Sequence, residues 1–438
     1  MFFANAWYKI FISALVFVFL SNVIFGVPAW PGVHTLHQPD GTTFNSYQRG
    51  DEFGAWFETE DAYIIKQSES DNWWNFVLKS SNDSDSSAPS SNVDLRVGYA
   101  NPTSVGAIKR KDFLTTPQVS RIKNVIQEEL PESKEISYIS YTPQNMPSSE
   151  FSPEYAPPPT GTHSVLVILV EFTDMTHDPA HTPAYYQNLL FNASNPNSMN
   201  SYYREVSYGK LNLTGTVVGW YRSSHSLSYY GADGSGTDNL NGPIYNLTRE
   251  AVLLANPDVN FANYDKDGDG YVDHVIIIHA GYGQEYSDTS TDIWSHRSTV
   301  QPAQFVDVKF VYYYTMNPEY GTMGVFAHEF GHDLGLPDLY NTRSRYSPNE
   351  VGFWDLMAYG IWGGPGGDGS VPTHLSAWSK IDLGWLNATQ LNGIARSYNV
   401  KNIENNNQAF IINNSILSLD KEYFIVENRQ AFSIFTFL

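Results

Sequence analysis

Unbroken apolar runs, rather than alternating ones, mark the middle of the chain. Val165 to Val170 is a run of apolar residues too short for a helix, which predicts a strand buried on both faces, and Val275 to His279 reads the same way. Met199 to Tyr208 and Pro243 to Ala255 carry apolar residues at helical spacing, while Leu211 to Tyr221 is strand-like. Helices alternating with strands predict an α/β (α+β) domain. The region from Val27 to Lys79 is different: it is dense in aromatics, with short apolar segments such as Ala62 to Ile65 and Trp74 to Leu78, and it predicts short strands. Ser80 to Asn92 has no apolar period and predicts a loop, and Pro117 to Leu130 is compatible with a charged helix. Thr142 to Thr160 carries many prolines, ending in Pro157-Pro158-Pro159, and predicts an extended, exposed linker. The chain therefore divides into a mostly β unit over 27–160 and an α/β unit over 161–438.

The N-terminus carries Lys9 and then an apolar run from Ile10 to Leu20 broken only by Ser13. This pattern predicts a secretory signal peptide over 1–26, with cleavage near Gly26 or Ala29. No later segment is apolar enough to span a bilayer, so no stable membrane span is expected after cleavage. A length of 438 residues suits two folded units. The formal net charge of -21 excludes nucleic acid and anionic membranes as partners, because both repel it. With no cysteine, an exported chain relies on its core or on bound ions instead of disulfides. Sequons at Asn82, Asn192, Asn212, Asn246, Asn387 and Asn413 fit a secreted, extracellular glycoprotein.

Candidate chemistry centres on His328-Glu329-Phe330-Gly331-His332. On a helix, residues four apart share a face, so both imidazoles reach one ion, zinc in this motif. Glu329 then sits beside the ion and is placed to take a proton from its water, whose pKa zinc lowers to about 7. Downstream, Gly335 can adopt the left-handed conformation that ends a helix, and Pro337 forbids its return. That turn brings Asp338 toward the metal as third ligand, with Glu350 as the rival further along.

A second ion site is spelled by Asp265, Asp267, Asp269, Tyr271 and Asp273. These occupy positions 1, 3, 5, 7 and 9 of an EF-hand-like loop, with the Tyr271 carbonyl as the fourth ligand, and they point to structural calcium. Ile276 stands where a closing glutamate belongs.

The extended zinc pattern resembles the metzincin clan with aspartate in place of its usual third histidine, and within that clan it is most similar to the immune inhibitor A-like family of secreted metallopeptidases. Trp354-Asp355-Leu356-Met357-Ala358-Tyr359-Gly360 resembles that family's Met-turn, which implies Met357 as a hydrophobic floor beneath the zinc and Tyr359 as a donor to the oxyanion. The segments Gln38 to Thr42 and Arg49 to Phe53 resemble the family's pro-segment, and Ser201 to Tyr221, Ile293 to Arg297 and Tyr423 to Gln430 resemble its enzyme half. The resemblance implies a metzincin-like zinc peptidase domain preceded by a mostly β pro-segment, with proteins or peptides as substrates and activation by cleavage before Val165. The family continues past the segment resembling Glu422 to Gln430, so the catalytic domain is expected to be truncated here at its C-terminus. Asp51 and Glu52 are the carboxylates considered for latency. The competing expectation is an inactive secreted calcium-binding interaction protein on the same fold.

Overall fold

A computed structural model describes residues 25–435 apart from 52–53, 69, 79–93, 111–158, 234–242, 288, 341–350, 392–396, 414–422 and 431–434. The signal peptide, the Ser80 to Asn92 loop, the Pro117 to Leu130 helix, the proline-rich linker as far as residue 158, Glu52 and Glu350 fall outside the described residues, wholly or in large part.

The chain enters as a two-residue strand, β1 (Phe25–Gly26), and then builds β2 (His34–His37), β3 (Thr43–Asp51), β4 (Gly54–Thr59), β5 (Ile64–Gln67) and β6 (Trp74–Phe76). β2 to β6 form an antiparallel sheet in sequential order, as the aromatic-rich short segments predict. One side of it buries Leu36, Tyr63, Ile65, Trp74 and Phe76 in a core of their own.

The second unit opens with β7 (Gly161–Glu171), followed by α1 (Pro183–Phe191), α2 (Met199–Val206), β8 (Leu211–Arg222), α3 (Leu227–Gly231), α4 (Pro243–Ala255) and β9 (Val275–His279). β10 (His296–Val306), β11 (Lys309–Pro318), α5 (Met323–Asp333) and α6 (Ala377–Asp382) come next. β12 (Thr389–Leu391), β13 (Phe410–Asn413) and β14 (Tyr423–Val426) form a small separate sheet. The main sheet runs β1-β10-β11-β9-β7-β8, parallel from β11 to β8, with β10 antiparallel to β11 and β1 antiparallel to β10. The protein is a mixed α/β structure.

Strand periodicity explains why β7 is apolar throughout. Val165, Val167 and Leu169 join the core beneath α1, α2 and α5, while Leu166, Ile168 and Val170 join the core on the opposite face with α4. All six are fully buried. β9 divides in the same way, with Ile276 and Ile278 on the first face and Val275 and Ile277 on the second. The sheet is thus a rigid platform, and α5, every residue of which is buried, lies on its first face. No helix among the described residues is long and apolar enough to cross a membrane.

Candidate metal centre and cleft

α5 carries His328, Glu329 and His332, and it ends where the sequence places the break. Leu334 caps it, Gly335 takes φ +105°, and the Leu336 N–H returns to the Gly331 carbonyl at 3.0 Å. The reversal sets Asp338 against the two imidazoles, with its Oδ1 3.3 Å from both Nε2 atoms.

Each imidazole is oriented by a backbone carbonyl. His328 Nδ1–H donates to Leu356 O at 2.9 Å, and His332 Nδ1–H donates to Leu336 O at 2.7 Å. With the protons on Nδ1, both Nε2 lone pairs point inward and stand 3.0 Å apart. Two lone pairs and a carboxylate oxygen converging in a buried site repel one another unless a cation lies between them. The spacing suits one, since four ligands at tetrahedral zinc distances lie about 3.3 Å apart. The donor set, two imidazoles and one carboxylate, is that of a catalytic zinc site with an open position. Burial lowers the pKa of His332, which keeps the ring neutral and able to ligate.

Glu329 is fully buried, and neither of its carboxylate oxygens has a hydrogen-bond partner among the described residues. Burial, followed by the charges of Asp338 and Glu285, pushes its carboxyl well above the ordinary range. A carboxylate left unsatisfied at such cost marks a group whose partner arrives from outside the chain.

The loop from Asp355 to Ala358 closes the site from beneath. Asp355 fixes it by accepting from Met357 N at 2.7 Å, Ser376 N at 2.8 Å and Ser379 Oγ at 2.7 Å. Met357 is fully buried, and its Sδ lies 2.6 Å from where a Cβ on Gly331 would stand, so sulfur and metal helix are in close contact through the missing side chain. Tyr359 packs with Phe353 and lies 6.4 Å, ring centre to ring centre, from Tyr340.

The cleft holds the chain's own N-terminal unit. Phe25 and Gly26 pair with Arg297 and His296 on β10, and Gly26 O comes within 3.3 Å of His328 Nε2. Beyond them Val27 and Ala29 are buried with Trp294, Val325, Ile361 and Trp362. Asp51, one of the carboxylates considered for latency, ends β3 where it pairs with Gly54; the group set beside His328 is the Gly26 carbonyl. Trp362, Glu285 and Tyr340 are cleft residues that the sequence reading passed over, and Trp294 entered it only as part of the Ile293 to Arg297 segment. Tyr340 stands two residues beyond Asp338 and Trp362 two residues beyond Gly360, so both lie near a motif.

At the second ion motif, carboxylate oxygens of Asp265, Asp267 and Asp269 lie within 4.8 Å of one another. The Asp273 carboxylate is not in that group and accepts from Lys266 N at 3.0 Å, while Tyr271 N–H donates to Asp269 at 2.8 Å. Lys309 forms an ion pair with Asp265, so one ligand already has a cationic partner.

Residues 159–387 match the family model described as Immune inhibitor A peptidase M6, catalytic domain. Among curated proteins, the chain is 34% identical over 288 residues to the Pre-pro-metalloprotease PrtV of Vibrio cholerae serotype O1 (strain M66-2), an alignment covering 52% of this chain and 31% of that protein. It is 33% identical over 284 residues to Immune inhibitor A of Bacillus thuringiensis subsp. alesti, covering 52% of this chain and 41% of that one. The match thus spans well under half the length of either relative. With the family model covering more than half of its length, this chain belongs to the immune inhibitor A peptidase M6 family.

Proposed function

We propose that the chain is a secreted, zinc-dependent endopeptidase, made as a zymogen, that hydrolyses peptide bonds in proteins. The observation that carries this reading is the convergence of His328 Nε2, His332 Nε2 and Asp338 Oδ1 at 3.0–3.3 Å beside a peptide carbonyl. Zinc held there would polarise that carbonyl and acidify a water. Glu329, whose charged form a cation beside it would favour again, takes the proton from the attacking water and passes it to the leaving amine. The Nδ1–H bonds of His328 and His332 to Leu356 O and Leu336 O aim both Nε2 atoms at the site where the ion would lie. Met357 supports the helix from below, which favours a metzincin-like arrangement.

In this reading the pro-segment runs to residue 160, with 161–438 as the catalytic domain, and it starts ahead of Phe25, upstream of the 1–26 boundary expected for the signal peptide, because Phe25 and Gly26 pair with β10. Its support is the burial of Val27 and Ala29 in the cleft, where a substrate has to lie. Calcium at Asp265, Asp267 and Asp269, with Tyr271 and Asp273 completing the loop, would brace a fold that has no disulfide. Exposed Asn192, Asn246 and Asn387 are available as glycan acceptors.

The test is casein digestion by the whole chain folded with zinc and nicked in the linker by limited proteolysis. Activity is expected to disappear on chelation, to return with zinc, and to be weak before nicking. Casein cleavage that persists after complete removal of metal would overturn the proposal.

A further inference from the structure

One side chain outside the assigned set touches the group that a substrate presents. Gly26 O, 3.3 Å from His328 Nε2, accepts a hydrogen bond of 2.6 Å from the Tyr340 hydroxyl. The peptide around it is gripped as a bound strand. Phe25 and Gly26 lie in antiparallel register with β10, Val27 O accepts from the Trp294 indole at 2.8 Å, and Pro28 O accepts from the Trp362 indole at 3.1 Å. Further on, Trp30 N–H donates to Glu285 O at 2.7 Å. An extended chain held through its main chain on both sides of one carbonyl, with that carbonyl against the metal's imidazoles, has the posture of a bond about to be cut.

We infer that Tyr340 is a catalytic residue of this site: its hydroxyl donates to the carbonyl oxygen of the bond being hydrolysed, while Trp294 and Trp362 hold the next two carbonyls downstream. The inference rests on the endopeptidase reading above. In the step itself, water oxygen bonds to the carbonyl carbon, the C–N bond breaks, and Glu329 carries the proton from water to the departing nitrogen. Tyr340 keeps its own proton throughout, and its hydrogen bond strengthens as negative charge gathers on the oxygen it faces. Tyr340 is buried, so that bond acts where water does not screen it. Tyr359, the residue singled out by its place in the Met-turn, packs against Phe353 and behind Tyr340 instead of on that oxygen.

The experiment compares Tyr340→Phe, Tyr340→His and Tyr359→Phe with the natural sequence, each expressed whole, folded with zinc and nicked in the linker. Tyr340→Phe is expected to lower kcat by about a hundredfold with KM little changed and zinc content intact, since loss of one such donor costs on that order. It should weaken, by a similar factor, a phosphinic peptide whose anionic phosphorus mimics the charged state. Tyr340→His, which restores a donor, should recover at least part of the loss, and Tyr359→Phe should stay near natural activity. Equal kcat for Tyr340→Phe and the natural chain, or equal loss in the Phe and His variants, would overturn the inference and leave the endopeptidase reading standing. A natural chain that cleaves nothing would remove both.

Discussion

Two glycines on the metal helix illustrate how unevenly a sequence discloses its constraints. Gly335 could be read directly, because a glycine followed two residues later by Pro337 is the usual way to end a helix and reverse the chain, and its φ of +105° meets that expectation. Gly324 could not. It lies inside α5, where alanine would be favoured by about 1 kcal/mol, yet a Cβ there would stand 2.2 Å from Ile361 O and 2.8 Å from Gly369 O. Both obstacles are backbone atoms far along the chain, which no local pattern reveals. Gly324→Ala is therefore expected to lower stability by about 1–3 kcal/mol despite its better helix propensity. Thermal unfolding of the metal-free chain measures this, and an unchanged or raised midpoint would show that the Ile361 segment yields freely. At this scale the candidate metal ligands were the most legible part of the molecule. His328 and His332 follow from helical spacing and Asp338 from the helix break, whereas Tyr340 meets the peptide only through β1, about three hundred residues earlier in sequence.

Among elements, legibility followed apolar content. β7 and β9 announce themselves because both faces are covered. β10 does not, since its sequence is mostly polar, includes Pro302, and shifts register between Thr299 and Gln304. Yet β10 is the strand that receives β1, so the edge on which the N-terminal segment pairs was the one least visible as a strand. The ion loop between the 3-10 turn Phe261–Tyr264 and β9 shows the reverse case, a motif clear in sequence of which three carboxylates gather in space. Asp265, Asp267 and Asp269 gather, but Lys309 engages the first of them. Calcium titrated into the metal-free whole chain is expected to raise its thermal midpoint by several degrees, and the increase should vanish in an Asp267→Asn, Asp269→Asn double variant. A midpoint indifferent to calcium would reduce the loop to an acidic turn held by Lys309.

In the molecule as a whole, the N-terminal unit and the α/β unit meet at the cleft. β1 extends the main sheet, and Val27 to Trp30 lie across the indoles of Trp294 and Trp362 and the carbonyl of Glu285. Composition separated the two units at the proline-rich stretch, but nothing in it showed that the start of the first would be buried in the second. Strand pairing across that distance has no local sequence signal. Whether this assembly cuts peptide bonds by the route proposed turns on Glu329, a buried carboxylate with no hydrogen-bond partner among the described residues. The most direct test is the kcat for casein of the zinc-loaded, nicked chain against its Glu329→Ala variant, with zinc measured in both. The account predicts equal zinc and a loss of at least a thousandfold in the variant. Comparable hydrolysis by two chains of equal zinc content would contradict it.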